Sequence, residues 1–178
     1  MAETKPAPSR ASARSAARLA AIQALYQMDM TGIDLNEVVT EFAQHRLGSE
    51  IEGEKLHEAE LAFFDDIVRG VVREQRRIDP LINARLAEGW HLSRIDSTLR
   101  AILRSGTYEI LLRDDVPPKV AINEYLDLAK AFFEGDERKV VNGLLDRIAR
   151  EVRPEDLPPR TETPAETAAS ADLKERET

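Results

Sequence analysis

Apolar residues recur at spacings of three and four through almost the whole interior of this chain. No segment alternates with period two for long enough to form a strand. That pattern confines the fold to helices packed on helices. The first helix is expected from about Arg14 to Met30, with Leu19, Ile22, Tyr26 and Met30 on one face and a stop near Thr31-Gly32. Asp34 suits the cap of a second, Leu35 to Leu47, which would bury Leu35, Val38, Val39 and Phe42. The charged stretch Gly48 to Lys55 reads as a loop. A third helix, about His57 to Ile78, carries Leu61, Phe64, Ile67, Val68, Val71 and Val72. Asp79-Pro80 restarts the chain, since Asp caps well and Pro is tolerated at the first helical position; a short fourth helix then runs to about Ala87. Gly89 to Leu92 is a turn in which Trp90 is expected as a packing plug. Ser93 or Asp96 caps a fifth helix through Leu112, and Val116-Pro117-Pro118 breaks it. A sixth follows from Lys119 to Phe133, and Gly135-Asp136 opens a seventh that ends near Val152. The expected fold is all-α: about seven helices in two packed sub-bundles sharing one core, with no internal repeat.

Composition sets the boundaries. Residues 1–9 carry two prolines and no periodic apolar position, and are expected to be disordered. From Pro154 to Thr178 there are four prolines and no aromatic, with seven acids against three bases. Too little apolar surface is available there to offset the entropy of ordering, so 154–178 reads as a disordered acidic tail and 10–153 as the folded domain. The whole chain of 178 residues has a formal charge of −8, which argues against non-specific nucleic-acid binding by the body of the protein. Zero cysteines exclude disulfides, thiol catalysis and Cys-based metal sites. No apolar run approaches the ~20 residues that span a bilayer. No membrane association is expected, and the protein reads as cytoplasmic.

Catalytic templates are missing. There is no Gly-rich phosphate loop and no nucleophile elbow. Glu-x-x-His occurs twice, as Glu54 with His57 and Glu88 with His91; on a helix that spacing can ligate a metal. One Glu falls in the expected loop and one His in the expected turn, so neither pair has a helix to hold it, and no metal or other cofactor is expected. Asp65-Asp66 and Asp114-Asp115 read as solvated or capping acids. Asn142-Gly143 sits within a helical pattern, where Gly suggests a close helix–helix approach.

The basic start of the chain stands apart. Residues 10–18, R-A-S-A-R-S-A-A-R, hold three arginines and no acid. Arg10, Arg14 and Arg18 fall at i, i+4 and i+8, one stripe if the helix extends that far, and they are expected to border the buried face without entering it. Small residues between them would let a polyanion approach, and a guanidinium donates two parallel hydrogen bonds to a phosphate. Cations at a helix N-terminus oppose the macrodipole, a local cost without visible structural gain. Three arginines on an acidic protein would bind weakly, and single-stranded RNA fits such an edge better than a deep groove.

Several blocks then resemble one family. Arg14-x3-Arg18-x4-Gln23-Ala24-Leu25-Tyr26 is similar to the opening helix of the NusB family of bacterial transcription antitermination factors. So are Ala101-Ile102-Leu103-Arg104-x3-Tyr108-Glu109, Asp115-Val116-Pro117-x-Lys119-Val120-Ala121-Ile122-Asn123-Glu124, Leu128-Ala129-Lys130 and Lys139-x-Val141-Asn142-Gly143-x-Leu145-Asp146. The resemblance spans roughly residues 10–153. It implies a non-enzymatic, all-helical protein that binds the boxA segment of nascent ribosomal RNA together with NusE, a small-subunit ribosomal protein, within an RNA polymerase antitermination complex. It implies RNA contacts from Arg10, Arg14 and Arg18, from Arg100 and Lys119, and from Asp136 and Lys139 in the loop before the last helix. Gln23 and Tyr26 would lie at the partner surface. Ser15 and Ala16 stand where relatives often carry further arginines, and Val140 where some carry an aromatic, so NusE is expected to be needed for tight binding. A homodimer is a further possibility in such a family. Two other readings stay open: an RNA-binding domain like that of ribosomal RNA cytosine methyltransferases, and a helical protein–protein adaptor.

Overall fold

The structure is a computed structural model that describes residues 10–45 and 54–159, with the side chains of residue 10 and of residues 54–59 outside the description. The expected disordered start at 1–9, most of the Gly48 to Lys55 loop, and the tail from residue 160 lie outside the described residues. Among the described residues, six α-helices follow one another: α1 (Arg10–Thr31), α2 (Leu35–His45), α3 (Glu54–Asn83), α4 (Ser97–Leu112), α5 (Pro118–Phe132) and α6 (Glu137–Val152), then a 3-10 turn at Pro154–Asp156. Among the described residues there is no strand, and no helix is long and apolar enough to cross a membrane. Helices α1 to α3 pack together, as do α4 to α6. The two groups share α4, which touches α1, α3, α5 and α6.

Local signals hold where a backbone hydrogen bond enforces them. Gly32, at φ +69°, ends α1 with its N–H donating to the carbonyl of Met28 at 2.9 Å. Asp34 Oδ1 accepts from the N–H of Asn36 at 2.8 Å. Asp96 Oδ1 accepts from Thr98 N at 2.7 Å and Leu99 N at 3.1 Å, capping α4. Pro118 takes the first position of α5, where its missing N–H costs nothing.

Tertiary packing overrides the rest. Asp79-Pro80 does not restart the chain: α3 runs through it to Asn83, and the seven expected helices become six. Ile78 and Ile82, four residues apart and both fully buried, keep one core face in register across the proline, which projects outward. Asp79 accepts both Nε and Nη2 of Arg104 at 2.8 Å instead of capping. Trp90 is not a plug. It is 36% exposed, and the neighbouring Leu92 is buried in its stead, with its N–H donating to Asn83 Oδ1 at 2.9 Å. The chain past α6 stays attached through Asp156, where Arg153 Nε donates to Asp156 Oδ2 at 2.8 Å, and through the Pro158 carbonyl, which accepts from Arg150 at 2.7 Å.

Helix α1 is turned the other way from expectation. Its core face consists of Ala13, Ala17, Ala20, Ala21 and Ala24 with Ile22 and Leu25, whereas Leu19, Tyr26 and Met30 are exposed. Alanines let α1 lie close against α3 and α4, so the larger apolar side chains are left at its rim. Gly143 likewise meets no neighbour: a Cβ there would find open space, so the expected close helix approach is absent. Gly143→Ala should therefore stabilise the protein by up to about 1 kcal/mol through helix propensity, read as a higher denaturation midpoint.

Candidate nucleic-acid interface

Placing Arg18 at 0° and advancing about 100° per residue, the buried positions of α1 span about −160° to +40°. Arg18 lies inside that arc, not at its border. Its side chain is 3% exposed. Its Nε and Nη2 donate to the two carboxylate oxygens of Glu109 at 2.9 and 2.8 Å, and Nη1 lies 3.4 Å from Glu124. Glu109 is fully buried and also accepts from the hydroxyl of Tyr125. Burial disfavours the Arg18 charge, yet the hydrogen bonds and charge of Glu109 outweigh it and hold the guanidinium above its ordinary pKa. Burial and the same carboxylate push the Tyr125 hydroxyl well up. In this structure Arg18 is a core ion pair and is closed to a phosphate, which corrects the expectation of an exposed stripe.

Arg14 lies one turn earlier and remains partly open, with 24% of its side chain exposed. Its Nη2 donates to Asp115 Oδ2 at 2.8 Å. Asp115 also receives Nε and Nη2 of Arg113 at 2.9 and 3.0 Å, and Arg113 reaches back to Asp66 at 2.9 Å. The guanidinium centres of Arg14, Arg18 and Arg113 all lie 4.6 to 4.9 Å from the ring centroid of buried Phe63. Hydrogen bonds from Arg113 first, and from Arg14, draw the Asp115 carboxyl down to about 2, so it is ionised at any ordinary pH. Asp66 and Asp115 are therefore ion-paired, not merely solvated.

The other candidates spread over the surface. Arg100 is half-buried, its Nη2 donating to the Ile95 carbonyl at 3.2 Å and its Nε 3.5 Å from Asp29, so its charge is spent within the fold. Lys119 is exposed on the first turn of α5. Asp136 and Lys139 are exposed at the start of α6, 3.4 Å apart. Arg10 opens α1, with its side chain outside the described residues. Gln23 and Tyr26 line a depression of about 460 Å³ with Met30, Thr98 and Phe132. A second depression, about 470 Å³, lies at the other end of α1 between Arg14, Asp115, Pro117 and Val120. Met30, expected on the buried face of α1, is exposed, as are Val120 and Phe132.

Among the described residues no group of three or more His, Asp or Glu side chains could hold an ion. His91 Nδ1 lies 2.7 Å from Ser93 Oγ. Glu54 and His57 both fall on the first turn of α3, so Glu54 lies on a helix where a loop was expected; their side chains lie outside the described residues.

Comparison with known proteins meets this geometry. The NusB family pattern matches residues 15–150. The chain is 53% identical over 158 residues to the transcription antitermination protein NusB of Rhodopseudomonas palustris, covering 87% of this chain and 94% of that one. To the protein of the same name from Sinorhizobium fredii it is 56% identical over 146 residues, covering 82% and 91%. The solved structure of T. maritima NusB matches with a TM-score of 0.67 at 32% identity, over 86% of this chain and 98% of that one. A crystal structure of antitermination factors NusB and NusE in complex with dsRNA matches with a TM-score of 0.65 at 25% identity, over 78% and 97%. The chain belongs to the NusB family, whose relatives named above are transcription antitermination proteins and not enzymes.

Proposed function

We propose that this protein is an RNA-binding antitermination factor that engages boxA-type RNA of nascent ribosomal transcripts jointly with NusE, so that RNA polymerase reads through terminators. One observation carries the reading beyond family membership. Along α1, a partly open guanidinium, Arg14, stands at one end, and a surface of Tyr26, Met30 and Phe132 stands at the other. The guanidinium suits a phosphate of a single strand, and the exposed apolar surface around Tyr26 is where NusE would dock. Lys119, Lys139 and Arg10 would add charge for the RNA, and Gln23 would sit with Tyr26 at the NusE surface. Burial of Arg18 and half-burial of Arg100 withdraw two of the expected cations from the surface, which supports shared binding with NusE over binding alone. A cytoplasmic location goes with this role.

The test is a gel-shift titration of a boxA-containing single strand with NusE present, at two salt concentrations. Arg14→Ala should weaken binding severalfold and lower the salt slope by about 0.7, one phosphate contact on a single strand. Unchanged affinity would remove Arg14 from the interface. The solved NusB–NusE relative holds double-stranded RNA, so a duplex of the same sequence serves as the second arm; tighter duplex binding would overturn the preference for a single strand. NusE binding without any RNA-dependent stabilisation would favour the adaptor reading.

A further inference from the structure

The arginines that mark the sequence as basic lie in a neighbourhood that is not basic. Arg14, Arg18 and Arg113 surround Phe63, and four carboxylates answer them: Asp66, Glu109, Asp115 and Glu124. Three cations against four anions leave the cluster itself with no excess of positive charge, so Arg14 is not an unopposed cation for a phosphate. Three of the carboxylates are committed elsewhere. Glu109 is sealed on Arg18, Asp66 accepts from the Tyr108 hydroxyl at 3.0 Å as well as from Arg113, and Glu124 accepts from Ser15 at 2.7 Å. Asp115 differs. Its side chain is 49% exposed, and it is the carboxylate in direct contact with Arg14.

We infer that Asp115 is the counter-ion that sets RNA affinity: it occupies Arg14 in the free protein and gives it up to a phosphate of the RNA strand. The inference rests on the RNA-binding reading above. The geometry allows the exchange without orphaning either group. Arg113 holds Asp115 with two hydrogen bonds at 2.9 and 3.0 Å, so Asp115 stays paired when Arg14 leaves. Arg14 needs only to turn its outer N–H groups from one anion to another, with its guanidinium centre already 4.6 Å from the Phe63 centroid. The depression beside the pair is walled by Ala11, Val116, Pro117 and Val120, together with Arg18 and with Glu124, the second carboxylate there, which is already held by Ser15 and lies 3.4 Å from Arg18. Asp115 thus acts through Arg14 as a positioning residue, lowering intrinsic affinity so that binding depends on what NusE adds.

The experiment titrates a boxA-containing single strand into the full chain, with and without NusE, at two salt concentrations. Asp115→Asn keeps the shape and removes the charge. It should tighten binding about five- to tenfold and steepen the salt slope by up to about 0.7, the contribution of one released phosphate contact. In an Arg14→Gln background the same substitution should gain about twofold or less, because only long-range repulsion is then relieved. Asp115→Glu, which retains the charge, should stay within about twofold of the parent. A neutral Asp115→Ser provides the same comparison should the Asn variant fold poorly, with thermal melts run on each. Unchanged or weaker binding by the neutral variants overturns the inference, as does an equal gain with and without Arg14. If the parent protein binds no RNA even with NusE, the RNA reading itself falls; if it binds and Asp115 has no effect, only the counter-ion role does.

Discussion

Arg18→Met is expected to destabilise the protein by about 3–5 kcal/mol, the range for removing one partner of a buried ion pair. Glu109 is fully buried, and without the guanidinium its charge retains only the Tyr125 hydroxyl and no cation in contact. Arg18→Lys should recover little of the loss, since a single ammonium cannot place two parallel hydrogen bonds on both oxygens at 2.8 and 2.9 Å. Arg18→Met with Glu109→Gln should cost clearly less than the two changes added, because the double variant leaves no unpaired buried charge. Urea denaturation followed by circular dichroism measures all three. The RNA consequence is indirect. Any loss of RNA binding in Arg18 variants should track loss of fold, whereas Arg14 variants should lose binding with the midpoint nearly unchanged. An Arg18→Met protein that unfolds at the parental midpoint and yet fails to bind RNA would make this arginine a surface contact after all.

Gly70→Ala carries the second large effect. Helices α3 and α4 meet with the face of Gly70 against the ring of Tyr108, and a methyl group there would overlap the ring and its hydroxyl. The ring is not free to swing aside, because Tyr108 is buried and its hydroxyl donates to Asp66 at 3.0 Å. Asp66 in turn helps hold Arg113. Overpacking of a core usually costs about 1–3 kcal/mol, and displacing this hydroxyl adds the loss of one hydrogen bond to a charged group, so about 3 kcal/mol is expected in total. Tyr108→Leu placed in the same chain should recover part of it by vacating the space. A loss under about 1 kcal/mol would show that α3 and α4 separate easily here. The contrast with Gly143→Ala is instructive: two helical glycines, opposite signs, and only the three-dimensional neighbourhood tells them apart.

That contrast marks what could be read from the chain. Stops and starts enforced by neighbours in sequence were legible, as with Gly32, Asp34, Asp96 and Pro118. So was the all-helical class, since it needs only the period of the apolar residues. The face of α1 was not legible. Hydropathy ranks Leu19, Tyr26 and Met30 above a row of alanines, but the alanines permit close approach and became the core. That inversion carried the site with it, turning Arg18 from a surface cation into a buried one. Nor could the sequence pair Arg14 with Asp115, 101 residues away, or show that Asp79 would serve Arg104 and leave the helix to run on. Family blocks named segments, while the exposure of each side chain within them depended on contacts that no short motif encodes.

Because α4 contributes its flanks to both groups of helices, neither group is complete without it. During synthesis the first three helices emerge with the side of α3 around Gly70, which Tyr108 of α4 will cover, left open, and it stays so until the chain has grown past Leu112. Apolar faces left waiting in this way invite association with other chains. The nascent protein thus has a vulnerable interval, set by the position of one segment in the order of translation, during which a chaperone or the ribosome surface would have to shield it.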